Sequence, residues 1–133
     1  MLWSVSFQYI SNEWARSVLV DTENLSEELI DEVLKEFLKD FKQGSLENKG
    51  WPTYLCAYKL SKAAVNSYTR LLAYRHPNLC INCVCPGFVK TDMNRNTGEL
   101  SVENGAASVV RLALLSSDST SGHFFARQDL SCF

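Results

Sequence analysis

The stretch that most restricts the fold lies past the middle of the chain. It is Leu79-Cys80-Ile81-Asn82-Cys83-Val84-Cys85, followed at once by Pro86-Gly87. The run has the length of a strand and reads as buried on both faces, which is the signature of a parallel sheet. Pro86 ends it, because proline has no N–H for the ladder, and Gly87 permits close backbone approach. A long helical pattern begins near Tyr54 and precedes the strand. Leu60, Ala63, Ala64, Leu71 and Leu72 form its apolar side, Arg70 and Arg75 fall in its later turns, and Pro77 prevents its continuation. His76 is expected to be exposed at the end of this helix. A helix feeding a doubly buried strand predicts an α/β fold. In open α/β sheets, ligands bind beyond the carboxyl ends of the strands, where the Pro-Gly turn would lie.

The same helix carries a pair with chemical potential. Tyr58 and Lys62 are four residues apart at its start, so their side chains stack on one face. A free phenol titrates near pH 10, and a nearby ammonium favours the phenolate, so Lys62 is expected to lower the pKa of Tyr58. Tyr58 could then donate a proton to a carbonyl oxygen while hydride arrives at the carbon. Taken alone the spacing is equally that of a solvated Tyr and a solvated Lys, and the downstream context decides.

Tyr-x-x-x-Lys on a helix, a strand, and then Pro86-Gly87-Phe88-Val89-Lys90-Thr91 together form a pattern that resembles the short-chain dehydrogenase/reductase family. Asn12-Glu13-Trp14-Ala15, Gly50-Trp51-Pro52, Val84 through Met93 and Val110 through Leu115 extend the likeness. They are similar to a plant subgroup of NADPH-dependent carbonyl reductases, of the neomenthol dehydrogenase and salutaridine reductase type, with this chain matching the C-terminal half only. The resemblance implies the C-terminal part of a Rossmann-like, doubly wound parallel sheet with a helical flap insertion. It makes residues 1–133 a partial domain, with the flap at about 12–52 and the catalytic helix, nicotinamide-side strand and loop, C-terminal helix and edge strand over 54–133.

By that resemblance Tyr58 is the acid, and Lys62 holds the nicotinamide ribose and tunes the phenol. Pro86, Gly87, the backbone around Val89 and the Thr91 hydroxyl contact the cofactor, NADPH or NADP+. The flap covers a surface that other family members use to dimerise, so a monomer is expected of the full-length protein. The family also places a Ser beside the Tyr. Alignment through Ile10-Ser11-Asn12-Glu13-Trp14 puts it at about Met1 to Trp3, where this chain has none, and Ser4 or Ser6 could take its place through a register shift. Ser45 lies thirteen residues before Tyr58, a spacing seen in relatives without the flap, but its neighbours read as a polar turn. The Gly-rich turn Thr-Gly-x-x-x-Gly-x-Gly, which cradles a pyrophosphate at a helix N-terminus, does not occur in these residues.

The flap should contain a strong amphipathic helix over Leu25–Phe41. Leu29, Ile30, Val33, Leu34, Phe37, Leu38 and Phe41 recur at helical steps, Ser26 is placed as N-cap, and Leu25 and Ile30 are placed as a hydrophobic staple. The opposite face, with Glu27, Asp31, Glu32, Lys35, Glu36 and Lys39, reads as solvated. Beyond the Pro-Gly turn, residues 94–100 form a polar and mobile loop bordering the substrate. Ser101 caps a helix through Leu114, residues 116–122 form a surface turn, His123–Ala126 form a last edge strand, and Gln128 to Phe133 form a tail. The first ten residues read as the end of a strand and a loop.

Composition narrows the function classes. A net charge of -2 offers no hint of nucleic acid or an anionic membrane as partner. No apolar run reaches the length of a membrane span, and the N-terminus lacks the basic lead of a signal peptide. Five cysteines, an odd number without a disulfide spacing, suit free thiols in a reducing, cytoplasmic setting. Cys80 faces away from Cys83 and Cys85 on a strand, so buried small hydrophobes rather than a metal site are expected.

The leading expectation is therefore an oxidoreductase that reduces an aldehyde or ketone of terpenoid or alkaloid type to an alcohol with NADPH, in a truncated form. The alternative is a catalytically inactive fragment or binding module lacking the dinucleotide-binding half. A sugar-nucleotide epimerase or dehydratase also uses Tyr-x-x-x-Lys, but it would carry a much longer substrate domain after the Pro-Gly turn.

Overall fold

A computed structural model describes residues 7–116 and 120–132. The chain falls into two compact units, one running to Leu72 and the other from Ala73 onward.

The first unit is helical. After a 3-10 turn at Phe7–Tyr9 come α1 (Glu13–Val20), α2 (Glu27–Lys42) and α3 (Cys56–Arg75), whose last residues cross into the second unit. Helix α1 was not anticipated, although its signal is present in the chain. The Asn12 side chain accepts from the Ala15 N–H at 2.8 Å, Glu13 sits in the first turn, and Ala15 and Leu19 share the buried face. The Asn12 amide also donates to the Lys49 carbonyl and the Ser11 hydroxyl to the Gly50 carbonyl, which ties the start of α1 to the turn before Trp51.

Helix α2 runs as its periodicity predicts, two residues inside the expected start. The Ser26 hydroxyl accepts from the Leu29 N–H at 3.2 Å. Leu25 and Ile30 are both buried, as a staple requires, and Val33 and Phe37 continue the buried stripe. Each such side chain stabilises the fold by about 1.5–3 kcal/mol relative to exposure. The stripe is narrower than the sequence suggests, because Leu38 and Phe41 stay exposed. A buried carboxylate, Asp40, lies at its end. It accepts the Trp51 indole N–H at 2.8 Å, while the Phe37 and Trp51 rings meet edge to face with centroids 5.3 Å apart. Ser45 belongs to this corner. Its N–H and hydroxyl both donate to the Asp40 carbonyl, so it closes a turn, as its polar neighbours indicate.

Helix α3 starts at Cys56 rather than Tyr54 and buries Leu60, Ala63, Ala64, Ser67 and Leu71. The Ser67 hydroxyl donates to the Leu19 carbonyl at 2.8 Å. The Arg70 guanidinium reaches the Val20 carbonyl and the Thr22 hydroxyl and lies 5.7 Å from the Phe7 ring centroid, satisfying carbonyls at the end of α1. Half-burial pushes the Arg70 pKa down from its usual value. The helix ends at Arg75, before Pro77, and His76 is exposed, as expected.

The second unit carries a three-stranded sheet, β1 (Cys83–Cys85), β2 (Phe124–Ala126) and β3 (Asp129–Ser131), in that order. β1 and β2 are parallel, with Val84 opposite Phe125. β2 and β3 are antiparallel, with Phe125 opposite Leu130. Three expectations need correction here. The strand read over 79–85 is regular only at Cys83–Cys85, and it is half-buried rather than buried on both faces. Before it the pairing is irregular: the Gly122 N–H donates to the Ile81 carbonyl at 2.7 Å, but the Ser121 hydroxyl accepts from the Ile81 N–H at 2.9 Å, and the Asn82 side chain bonds the His123 N–H and the Thr120 carbonyl. The cysteines differ likewise, with Cys83 and Cys85 half-buried and Cys80 and Cys132 exposed. The expected last edge strand, β2, is instead central among the described strands and buries Phe124 and Phe125, because the expected tail supplies β3 as its second neighbour. The parallel pairing of β1 with β2 is as expected of the α/β fold, and β3 adds an antiparallel neighbour.

Helix α4 (Val102–Ala113) is capped by the Ser101 hydroxyl, which accepts from the Asn104 N–H at 3.2 Å. Its buried residues are Gly105 and Ser108. At the other end of the chain, Phe7–Tyr9 form a 3-10 turn rather than strand or open loop. Met1–Ser6, with the candidate substitutes Ser4 and Ser6, and residues 117–119 of the surface turn lie outside the described residues.

Candidate active site

Helix α3 has a buried and an open face. Leu60, Ala63, Ala64, Asn66, Ser67 and Leu71 turn inward, and Tyr58, Ser61, Lys62, Val65 and Tyr68 are exposed. Tyr58 is 39% exposed, and the Lys62 ammonium lies 5.8 Å from the centroid of its ring. One helical turn thus holds a phenol and a cation side by side on an open surface, as the i, i+4 spacing requires. The Ser61 hydroxyl donates to the Tyr58 carbonyl at 2.9 Å, a bond made within the helix and directed away from the phenol.

The approach to Tyr58 is unusual. Leu55, immediately before α3, has a φ of 50°, a left-handed conformation rare for a branched side chain, and its carbonyl accepts the Lys59 N–H at 2.9 Å. Lys59 places its ammonium 5.9 Å from the Tyr9 ring centroid and 5.7 Å from that of Tyr54. No residue type marks this left-handed position, where Gly or Asn would be usual.

The other expected site residues, Pro86, Gly87, Val89 and Thr91, lie together in the second unit, in the turn after β1. Gly87 has a φ of +88°, which favours glycine, and a Cβ on it would also have to displace the Leu100 side chain, whose Cδ1 would stand 2.7 Å away. Beyond it the chain doubles back. Val89 and Leu100 form a parallel bridge, the Lys90 N–H donates to the Leu100 carbonyl at 2.9 Å, and the Glu99 and Leu100 N–H groups both donate to the Phe88 carbonyl. Residues 94–100, read as a loop bordering substrate, are therefore stitched to the turn by backbone bonds. Thr91 opens a 3-10 turn at Asp92–Asn94 whose Asn94 side chain bonds back to residues 89 and 91. Asn94, Gly98 and Gly105 around this turn, and Asp40 in the first unit, are structurally engaged residues whose individual roles no motif in the sequence marks. Among the described residues no three His, Cys, Asp or Glu side chains gather as a metal-binding group.

A family profile described as Enoyl-(Acyl carrier protein) reductase matches residues 44–119, more than half of the chain. The chain belongs to the short-chain dehydrogenase/reductase family, and its fold is part of that family's Rossmann-like α/β architecture. Within the family it is 55% identical to (+)-neomenthol dehydrogenase of Arabidopsis thaliana, over 93% of this chain and 42% of that protein. The solved structure of salutaridine reductase from Papaver somniferum superposes with a TM-score of 0.86 at 49% identity, over 92% of this chain and 41% of that one. More distantly, it is 43% identical to rat (Rattus norvegicus) carbonyl reductase (NADPH) 3, over 58% of this chain and 29% of that protein. The chain spans about two fifths of the length of its plant relatives and corresponds to their C-terminal half.

Proposed function

We propose that the protein is an NADPH-dependent oxidoreductase that reduces an aldehyde or ketone, of terpenoid or alkaloid type, to an alcohol. The observation that carries this reading is the shared, open face of Tyr58 and Lys62, with the ammonium 5.8 Å from the ring centroid. A hydroxyl and a cation one turn apart suit a carbonyl oxygen and a ribose diol, so the donor set fits a nicotinamide nucleotide. NADPH, when bound, supplies the hydride. Tyr58 donates its phenolic proton to the carbonyl oxygen as negative charge develops there, and Lys62 favours the phenolate left behind and holds the ribose. Pro86, Gly87, Val89 and Thr91 receive the nicotinamide end. Residues of about 12–52 act as the flap, which on this reading leaves the full-length protein a monomer. The names of the relatives, two plant terpenoid or alkaloid oxidoreductases and an NADPH carbonyl reductase, support the substrate class and the cofactor. Among the described residues no helix is long and apolar enough to cross a membrane. A cytoplasmic site of action without nucleic-acid partners accords with the charge and the free thiols.

The test is NADPH fluorescence titration of this chain, alone and joined to the remainder of the Papaver somniferum salutaridine reductase, followed by addition of menthone or an aldehyde. The joined protein is expected to bind NADPH and to consume it on addition of the carbonyl compound. A folded joined protein that ignores NADPH would remove the reading. One that binds NADPH but turns over no carbonyl compound would favour a catalytically silent binding module.

A further inference from the structure

The turn after β1 is held far more firmly than its length requires, and besides the backbone bonds one side chain grips it at two points. Asn94 uses both ends of its carboxamide on it: the amide nitrogen donates to the Val89 carbonyl at 2.6 Å, and the oxygen accepts the Thr91 N–H at 3.1 Å. A single planar group therefore fixes the peptide planes on either side of Lys90. Asn94 is itself anchored, because its carbonyl accepts the Thr97 hydroxyl at 2.7 Å and its N–H donates to the Thr91 carbonyl.

The opposite side of the turn is closed sterically. Gly98 is buried, and a Cβ there would stand 2.2 Å from the Val89 carbonyl carbon and 2.3 Å from the Lys90 nitrogen, both backbone atoms. Gly105 on α4 receives the Val89 side chain, since a Cβ there would stand 2.5 Å from Val89 Cγ2. To bring Gly98 into place the chain passes through two successive left-handed residues, Arg95 at φ 54° and Asn96 at φ 58°. Strained residues persist where the surroundings over-determine them, and such places cluster at ligand clamps. A turn serving only to leave a strand would need none of this.

The geometry points to Asn94 as a positioning residue: its carboxamide, working against Gly98, sets the Val89–Thr91 backbone in the shape that receives the nicotinamide group. This rests on the cofactor reading above and adds to it a residue that touches no reacting atom. Asn94→Asp keeps an acceptor for the Thr91 N–H but loses the donor to the Val89 carbonyl, whereas Asn94→Ala loses both.

The probe is reduced nicotinamide mononucleotide, which carries the nicotinamide end alone, titrated into the chain while backbone amide signals are followed by NMR. In the unsubstituted chain the Val89 and Thr91 amides are expected to shift. Asn94→Ala should weaken the probe by roughly tenfold and Asn94→Asp by less, with faster hydrogen exchange at Thr91 in the Ala variant. Circular dichroism establishes that each variant is folded, and if Asn94→Ala fails that check the Asp variant decides. Two results overturn the inference: equal affinity in folded variants, or a probe that leaves the 89–91 amides unmoved in the unsubstituted chain. Neither would touch the oxidoreductase reading, which stands or falls on Tyr58-dependent consumption of NADPH.

Discussion

Helices α2 and α4 look alike in sequence, each with a capping Ser and apolar residues at helical steps, yet they bury opposite kinds of surface. Helix α2 turns in its large residues, Ile30, Val33 and Phe37, against a corner closed by Trp51 and Asp40. Helix α4 turns in Gly105 and Ser108 and leaves Val102, Val109 and Val110 about half exposed. The difference follows from what each helix must meet. A side-chain cluster accommodates Phe37, but the Val89 side chain at the Pro-Gly turn approaches α4 so closely that only a residue without Cβ fits opposite it. Periodicity shows that a helix has two faces, and the neighbour's distance decides which of them goes inside.

This contrast can be broken by mutation. The largest effect should come from Phe37→Ala, costing about 3–5 kcal/mol in thermal or denaturant unfolding. Val109→Ala, an equally apolar position in the sequence, should change stability by only about 0.5 kcal/mol. If the two losses were similar, the distinction between the helices would fail. Gly105→Ala should come next, at about 1–3 kcal/mol, because its Cβ collides with the Val89 side chain and forces repacking. A neutral outcome would mean that α4 does not need its small-residue face. Asp40→Ala should cost about 1–3 kcal/mol by stranding the buried Trp51 indole N–H, and Trp51 fluorescence should report the altered corner.

The smallest effect is electrostatic. The Asn24 side chain and N–H hold the Asp21 carboxyl below its ordinary value, and hydrogen bonds from its own backbone N–H and from Ser101 do the same for Glu103 at the start of α4. A depressed carboxylate stabilises the fold above its unfolded pKa, and the contribution is lost as pH falls through the folded value. Stability should therefore decline slightly on acidification below about pH 4. In an NMR titration Asn24→Ala should move Asp21 back up. A midpoint that stays put would contradict the assigned cause.

The helices were legible because their signals are local. Ser26 and Ser101 as caps, the steps of α2 and the stop at Pro77 all act within a turn or two. The Tyr58 and Lys62 pair was legible for the same reason, since four residues on a helix fix a shared face. The sheet was less legible because strand pairing is non-local: β1 is short where the Ser121 and Asn82 side chains, rather than a strand partner, bond the Ile81 and His123 N–H groups, and the tail forms β3. Asn94 and Leu55 were hidden for another reason. Asn94 acts through backbone groups, and the left-handed Leu55 carries none of the residues that advertise such a conformation.

The central claim is that Tyr58 is the proton donor, and one split measurement tests it most directly. In the form of the protein that consumes NADPH with a carbonyl substrate, Tyr58→Phe should lower turnover by about 10²–10⁴-fold. NADPH affinity, read by fluorescence titration, should remain within about twofold, because the ring and Lys62 are retained. Turnover that survives the loss of this one hydroxyl would contradict the account.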